Sequence, residues 1–259
     1  MELMIPVAGG EVWAEDTGGD GQPVVLLHPG WGDSTIWGPS LSKLAEDPDL
    51  RVIRYDTRGY GRSPAPAVPY TQLGDLMAVI DHLRVRQALL VGHSSGGGTA
   101  VGLALASQQH VKGLVLIAPG IQDYPWPADD PYTAEFNRLF ALGDREALAA
   151  LGLRTWVAAG TDSAARAQIQ AAVAAFFRQG ENELPDPPAY PSLGDLRLPS
   201  VLLIGDRDYT MVQECADKIT ERIPRSRKIV VPGADHLLPL RAPALLADVI
   251  TEYAQPRGV

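Results

Sequence analysis

The chain has 259 residues, 46% hydrophobic and 20% charged, with a formal net charge of −9. That length suits one large domain, or one domain carrying an insertion, with a sizeable core, and an acidic balance without a basic cluster argues against nucleic acid as a partner. The single cysteine, Cys215, excludes an intrachain disulfide; there is neither a leader-like start nor an apolar run near the ~18 residues of a membrane span. The expectation is a cytoplasmic protein with no membrane partner, acting on a small-molecule substrate as a monomer or homodimer.

In chain order, Leu3–Val7 and Glu11–Glu15, split by Gly9-Gly10, read as an antiparallel hairpin at a sheet edge. Short runs rich in Val, Ile and Leu follow at Val24–Leu27, Val52–Tyr55, Ala88–Val91, Leu114–Ile117, Val201–Ile204 and Ile229–Val231. They lack polar alternation, as expected of strands covered on both faces. Helical periodicity at Leu73–Leu83 and Thr99–Ser107 lies between them, and Cys215 falls in a later helical pattern. The alternation predicts an α/β fold with a mostly parallel sheet and helices on both faces. It breaks between Pro119 and Leu198, where Tyr132–Leu142, Arg145–Ala159 and Ser163–Arg178 read as three helices, followed by Pro185, Pro187, Pro188 and Pro191. The expected organisation is a core of residues 1–118 and 199–259 and a helical cap of residues 119–198. The cap is expected over the carboxyl ends of the strands, where open α/β sheets bind ligands.

The stretch Gly92-His93-Ser94-Ser95-Gly96 follows an apolar run and opens a helical pattern. This is the sequence form of a nucleophile elbow, with Ser94 on the strained turn. Gly92 and Gly96 let strand and helix approach closely. The Ser95 amide, at the helix N-terminus, is placed to donate to an oxyanion. Gly-x-Ser-x-Gly alone also describes a glycine-rich turn with a solvated serine, so partners must carry the case. A serine hydroxyl needs a base, and the base needs a carboxylate. Of His28, His82, His93, His110 and His236, only His236 follows a late strand, and it is the expected base. Asp208, after Val201–Ile204, is the expected acid, with Asp206 as fallback and Asp123 as a third candidate; Asp235 adjoins the base and points elsewhere. The second oxyanion amide is expected from Gly30 or Trp31, because Pro29 has no amide hydrogen. His28 reads as a structural histidine bonded to loop backbone. His93 either packs beneath the elbow or lines the pocket, and His82 and His110 read as helix or helix-end surface residues. No metal-ligand spacing is present, and no cofactor is expected.

Taken together, His28-Pro29-Gly30, Asp56-Thr57-Arg58-Gly59-Tyr60-Gly61-Arg62-Ser63, Gly92-His93-Ser94-Ser95-Gly96, Gly205-Asp206-Arg207-Asp208 and Gly233-Ala234-Asp235-His236 resemble the α/β-hydrolase superfamily. The match runs from about residue 11 to the end, and the resemblance implies the α/β-hydrolase fold. The family usually has His-Gly where this chain has His28-Pro29-Gly30. Arg54-Tyr55-Asp56-Thr57-Arg58-Gly59 and Leu151–Val157 are similar to the enol-lactone hydrolase branch. Ser94 stands where dehalogenases and epoxide hydrolases of the superfamily carry an aspartate, which sets those reactions aside.

The expected activity is hydrolysis of an ester or lactone through an acyl-enzyme, with Ser94 as nucleophile, His236 as base and Asp208 orienting it. Other chemistry on the same site (C–C bond hydrolysis, acyl transfer, cyclase or lyase action) and a small-molecule receptor are the alternatives. The cap is rich in aromatic residues. Trp31, His93, Tyr124, Trp126, Phe136, Phe140 and Trp156 are the expected pocket residues, for a hydrophobic or cyclic substrate. Tyr132, Phe176, Phe177 and Trp37 are further aromatic candidates, and about half of the cap's aromatic side chains are expected to pack its own helices.

Overall fold

A computed structural model describes residues 1–255. Its sheet contains β1 (Glu2–Val7), β2 (Gly10–Asp16), β3 (Gln22–Leu27), β4 (Leu50–Tyr55), β5 (Ala88–His93), β6 (Val111–Ile117), β7 (Ser200–Gly205) and β8 (Ser226–Val231). The order across the sheet is β1-β2-β4-β3-β5-β6-β7-β8. β1 pairs antiparallel with β2, and β2 with β4; every pairing from β4 to β8 is parallel. Every residue of β5 and β7 is buried, as their unbroken apolar runs require. β1 is the outer strand of the hairpin and is largely exposed.

Two helices, α3 (Ser95–Ala106) and α9 (Pro243–Ala254), both pack across β3, β5 and β6, so they cover opposite faces. α2 (Gln72–His82) lies beside α3, and α1 (Gly38–Ala45) lies beside α9. α7 (Thr210–Arg222) joins β7 to β8, and the one-turn α8 (Leu238–Arg241) leads into α9. The chain runs outward from β3 to β4, then returns to β5 on the other side of β3. The carboxyl ends of β3 and β5 therefore flank a topological switch point, where a crevice opens in a sheet of this kind.

Between β6 and β7 the chain leaves the sheet and forms α4 (Pro131–Ala141), α5 (Arg145–Trp156) and α6 (Ser163–Gln179). Each starts behind an aspartate whose carboxylate accepts from first-turn amides: Asp130, Asp144 and Asp162. Such a cap contributes about 1 kcal/mol. The proline-rich stretch that follows touches the core through a bridge between Tyr70 and Glu183, then closes in a 3-10 turn over Tyr190–Asp195. No helix among the described residues is long and apolar enough to cross a membrane.

Candidate active site

The elbow is built by close approach. A Cβ on Gly92 would lie 2.6 Å from Gly97 Cα, and one on Gly96 would lie 2.5 Å from the Leu27 carbonyl oxygen. Strand β5, helix α3 and the end of β3 therefore meet only because these two positions lack side chains. Between them Ser94 adopts φ 52° and ψ −117°, a left-handed conformation that side chains rarely take. Its carbonyl accepts from the amides of Gly97 and Gly120 at 2.9 Å each, and its own amide donates to Ile117 at 2.9 Å. The backbone is thus held from three directions, while the side chain is half-buried and hydroxyl Oγ makes no hydrogen bond among the described residues.

The loops after β7 and β8 bring Asp208 and His236 together. His236 Nδ1 donates to the Asp208 carboxylate, 3.1 Å from Oδ1 and 3.0 Å from Oδ2, and both side chains are buried. That bond leaves Nε2 as the free nitrogen. Asp208 is fixed in turn by the Tyr209 amide on Oδ1 at 2.7 Å and by Gln213 Nε2 on its carbonyl at 2.7 Å. Neither of the other two candidate acids bonds His236 among the described residues. Asp206 accepts from the Gly233 amide at 2.7 Å and so ties the two loops together. Asp123 is exposed and left-handed, with φ 67°. Asp235, completely buried, accepts from Leu237 and Ala159 amides and from Arg241.

His236 is packed between two rings. Trp156 lies 4.6 Å from its centroid and His93 5.0 Å. His93 is fully buried, and neither ring nitrogen has a hydrogen-bond partner among the described residues. Burial, reinforced by the neighbouring His236, holds it well below the usual histidine range, so it is neutral. His28 is braced by backbone: Nε2 accepts from the Thr57 amide at 3.0 Å, so Nδ1 carries the proton and donates to Pro29 at 2.9 Å. This fixes the loop that holds Gly30 and Trp31. Gly30 lies against the elbow, 3.5 Å from Ser95 Oγ measured from an added Cβ. The amides of Ser95, Gly30 and Trp31 have no hydrogen-bond acceptor among the described residues.

Two cavities adjoin these residues. A cleft of about 510 Å³ is lined by Ser94, Ser95, Thr99, Tyr124, Trp126 and Gln72, and also by Asp123, Glu183 and Asp186. A smaller, aromatic space of about 200 Å³ lies between Trp126, Tyr132, Trp156 and Tyr209, with Asp130 at its side. The Tyr209 hydroxyl donates to Asp130 at 2.7 Å, and that bond pushes its pKa up to about 12. Tyr124, Trp126 and Trp156 thus line cavity space. Trp31, His93, Phe136 and Phe140, expected along the pocket, line neither cavity. His93 packs beneath the elbow. Trp31 instead packs among α4 and α6, donating from Nε1 to Tyr132 at 2.7 Å, with Phe176 at 5.0 Å and Phe136 at 6.0 Å. Phe140 stacks on Phe177 at the surface.

Sequence reasoning missed Gln72, Thr99, Glu183, Asp186 and Tyr209. The last was findable, as the residue beside the candidate acid. Glu183 and Asp186 sit among prolines, where the informative signal was the return of the chain to the sheet. Among the described residues no cluster of three or more His, Cys, Asp or Glu side chains could hold a metal.

The family model described as "Alpha/beta hydrolase family" matches residues 24–249. The chain is 28% identical over 257 residues to a pimeloyl-(acyl-carrier protein) methyl ester esterase of Aeromonas hydrophila, covering 91% of this chain and 96% of that one. It is 38% identical over 110 residues to the dihydrolipoyllysine-residue acetyltransferase component of an acetoin cleaving system of Pseudomonas putida. That match covers 41% of this chain and only 29% of that protein. Among solved structures, the enol-lactonase from Burkholderia xenovorans LB400 superposes with a TM-score of 0.77, covering 97% of this chain and 99% of that one. At 21% identity the likeness is one of fold.

Proposed function

Because the chain belongs to the alpha/beta hydrolase family, we propose that it hydrolyses a carboxylic ester or lactone through a serine acyl-enzyme. The observation that carries this reading is the Asp208–His236 pair, buried beside the strained Ser94 elbow. Ser94 Oγ attacks the carbonyl carbon and gives its proton to His236 Nε2, and Asp208 stabilises the imidazolium. The tetrahedral oxyanion is held by the Ser95 amide and by that of Gly30 or Trp31. His236 returns the proton to the leaving oxygen, then activates the water that releases the acid. Residues 119–198 act as a cap that shapes the site, and the esterase and enol-lactonase names among the relatives agree with this reaction class. Trp126, Tyr132, Trp156 and Tyr209 offer an apolar space to one part of the substrate.

A serine-directed phosphonate tests the nucleophile. Intact-mass and peptide spectra are expected to show one label, on Ser94, absent from Ser94→Ala. With a panel of p-nitrophenyl esters and lactones, Ser94→Ala is expected to lower kcat/KM by roughly 10⁴-fold with the fold intact. Undiminished turnover by that variant would overturn the acyl-enzyme.

A further inference from the structure

The cleft at Ser94 is lined by acidic side chains. Among the described residues its lining contains three carboxylates, Asp123, Glu183 and Asp186, and no lysine, arginine or histidine. They are carried by two segments, the loop after β6 and the proline-rich return from the cap. The nearby Arg58 does not offset them. It is buried and engaged by Asp75 through paired bonds of 2.7 and 2.6 Å. Glu183 as a residue is exposed, but its carboxylate head is drawn into the wall, where it accepts from Tyr70, Gln72 and Gln179 at 2.8–3.1 Å. Asp186 accepts from the Leu73 amide at 3.0 Å. Asp123 makes no hydrogen bond among the described residues.

Two aromatic rings complete the wall. Tyr124 and Trp126 lie 4.6 Å apart with their planes at 61°, and Trp126 is 41% exposed. An exposed indole face beside carboxylates is the chemistry that recognises an alkylammonium group. We infer that this cleft selects a substrate bearing a cationic, ammonium-type group, which Asp123 and Asp186 face and Tyr124 and Trp126 cover. The inference rests on the hydrolase reading of the same site and names its substrate class. Burial pushes the carboxyls of Glu183 and Asp186 upward, so a cation in the cleft relieves an existing cost. The chain's net charge of −9 adds a long-range attraction of the same sign.

The test compares three phenyl esters on the full chain: 4-(trimethylammonio)butyrate, its uncharged isostere 5,5-dimethylhexanoate, and the monoanion of glutarate. At low ionic strength kcat/KM is expected to favour the cation over the isostere by roughly tenfold, with the anion poorest, and high salt is expected to shrink the gap. In Asp123→Asn/Asp186→Asn the cation-to-isostere ratio is expected to fall toward one. The single Asp123→Asn, at an exposed position, reads the same ratio if the double variant folds poorly. An isostere that equals or exceeds the cation in the native protein overturns the inference and leaves ester hydrolysis standing. If no ester turns over and the phosphonate labels nothing, the hydrolase reading fails. The corresponding anilides, titrated by calorimetry, then decide the cation separately: tighter binding of the cationic anilide supports it, and equal binding overturns it.

Discussion

Ser94 holds its side chain in the open at a cost to its backbone. A residue forced into a sparsely populated region costs of order 1–3 kcal/mol, and glycine removes that strain while adding about 0.5–1 kcal/mol of unfolded-chain entropy. Ser94→Gly is therefore expected to abolish turnover and to raise the unfolding free energy by about 1 kcal/mol in urea titration. A less stable glycine variant would show that the turn stores no strain. The neighbouring His93 gives a pH dependence. Because burial keeps it neutral in the folded state, the unfolded chain binds an extra proton below the ordinary histidine pKa of about 6.5. Stability is then complete above that pH and falls as pH drops, by up to about 1.4 kcal/mol per unit for one proton. His93→Leu, which buries no unpaired nitrogen, is expected to lessen the loss between pH 7 and pH 5. An unchanged slope would mean that His93 is protonated when folded.

At the scale of elements, the strap between cap and core is made by the residue beside the candidate base. Asp235 Oδ2 accepts from the Ala159 amide at 2.8 Å, in the link between α5 and α6. Arg241, bound to Asp235 at 3.0 Å, also reaches the Gly160 carbonyl at 2.6 Å and Asp162 at the start of α6. Arg241→Met strands a fully buried carboxylate and is expected to cost about 3–5 kcal/mol. The double variant with Asp235→Asn is expected to be more stable than the sum of the two losses, since the stranded charge is gone; strict additivity in denaturant titrations would sink the strap. This contact also explains an expectation that ran long. Arg145–Ala159 reads as one helix, but the Ala159 amide goes to Asp235 and α5 stops at Trp156. Long-range partners of that kind are invisible in local pattern. The first turn of α3 shows no apolar period; the elbow motif places the helix start at Ser95, where packing makes a glycine run of poor propensity helical. The buried strands were legible because period and composition decide them. The order Ser94, Asp208, His236 was legible because each candidate follows a strand end. The carboxylates of the cleft were not, because which loop faces Ser94 is set by how the cap folds back.

For the whole molecule, the question is whether cap and core unfold as one body. A chain of this size with an inserted helical segment would by default show more than one transition. Here a core residue completes the cap's interior. Trp31, on the loop after β3, is 7% exposed, and its Cε3 would lie 2.9 Å from a Cβ added to Gly152 of α5. Two elements of the cap hold the same loop by hydrogen bonds. Tyr132 receives the Trp31 indole, while Gln168 of α6 accepts from the Asp33 amide at 3.0 Å and donates to Thr35 at 2.7 Å. The cap therefore cannot loosen without freeing the backbone that carries the proposed oxyanion donors. Removing Trp31 takes away the largest shared side chain, and Trp31→Ala is expected to cost about 3–5 kcal/mol. In the native protein, far-ultraviolet dichroism and protease cleavage between residues 142 and 163 are expected to report one common midpoint in urea. In Trp31→Ala cleavage is expected at lower urea than loss of the sheet, and the phosphonate rate at Ser94 is expected to fall along with cap protection. Separate midpoints in the native protein, or a cap that stays protected without Trp31, would show that the two parts hold together by other means.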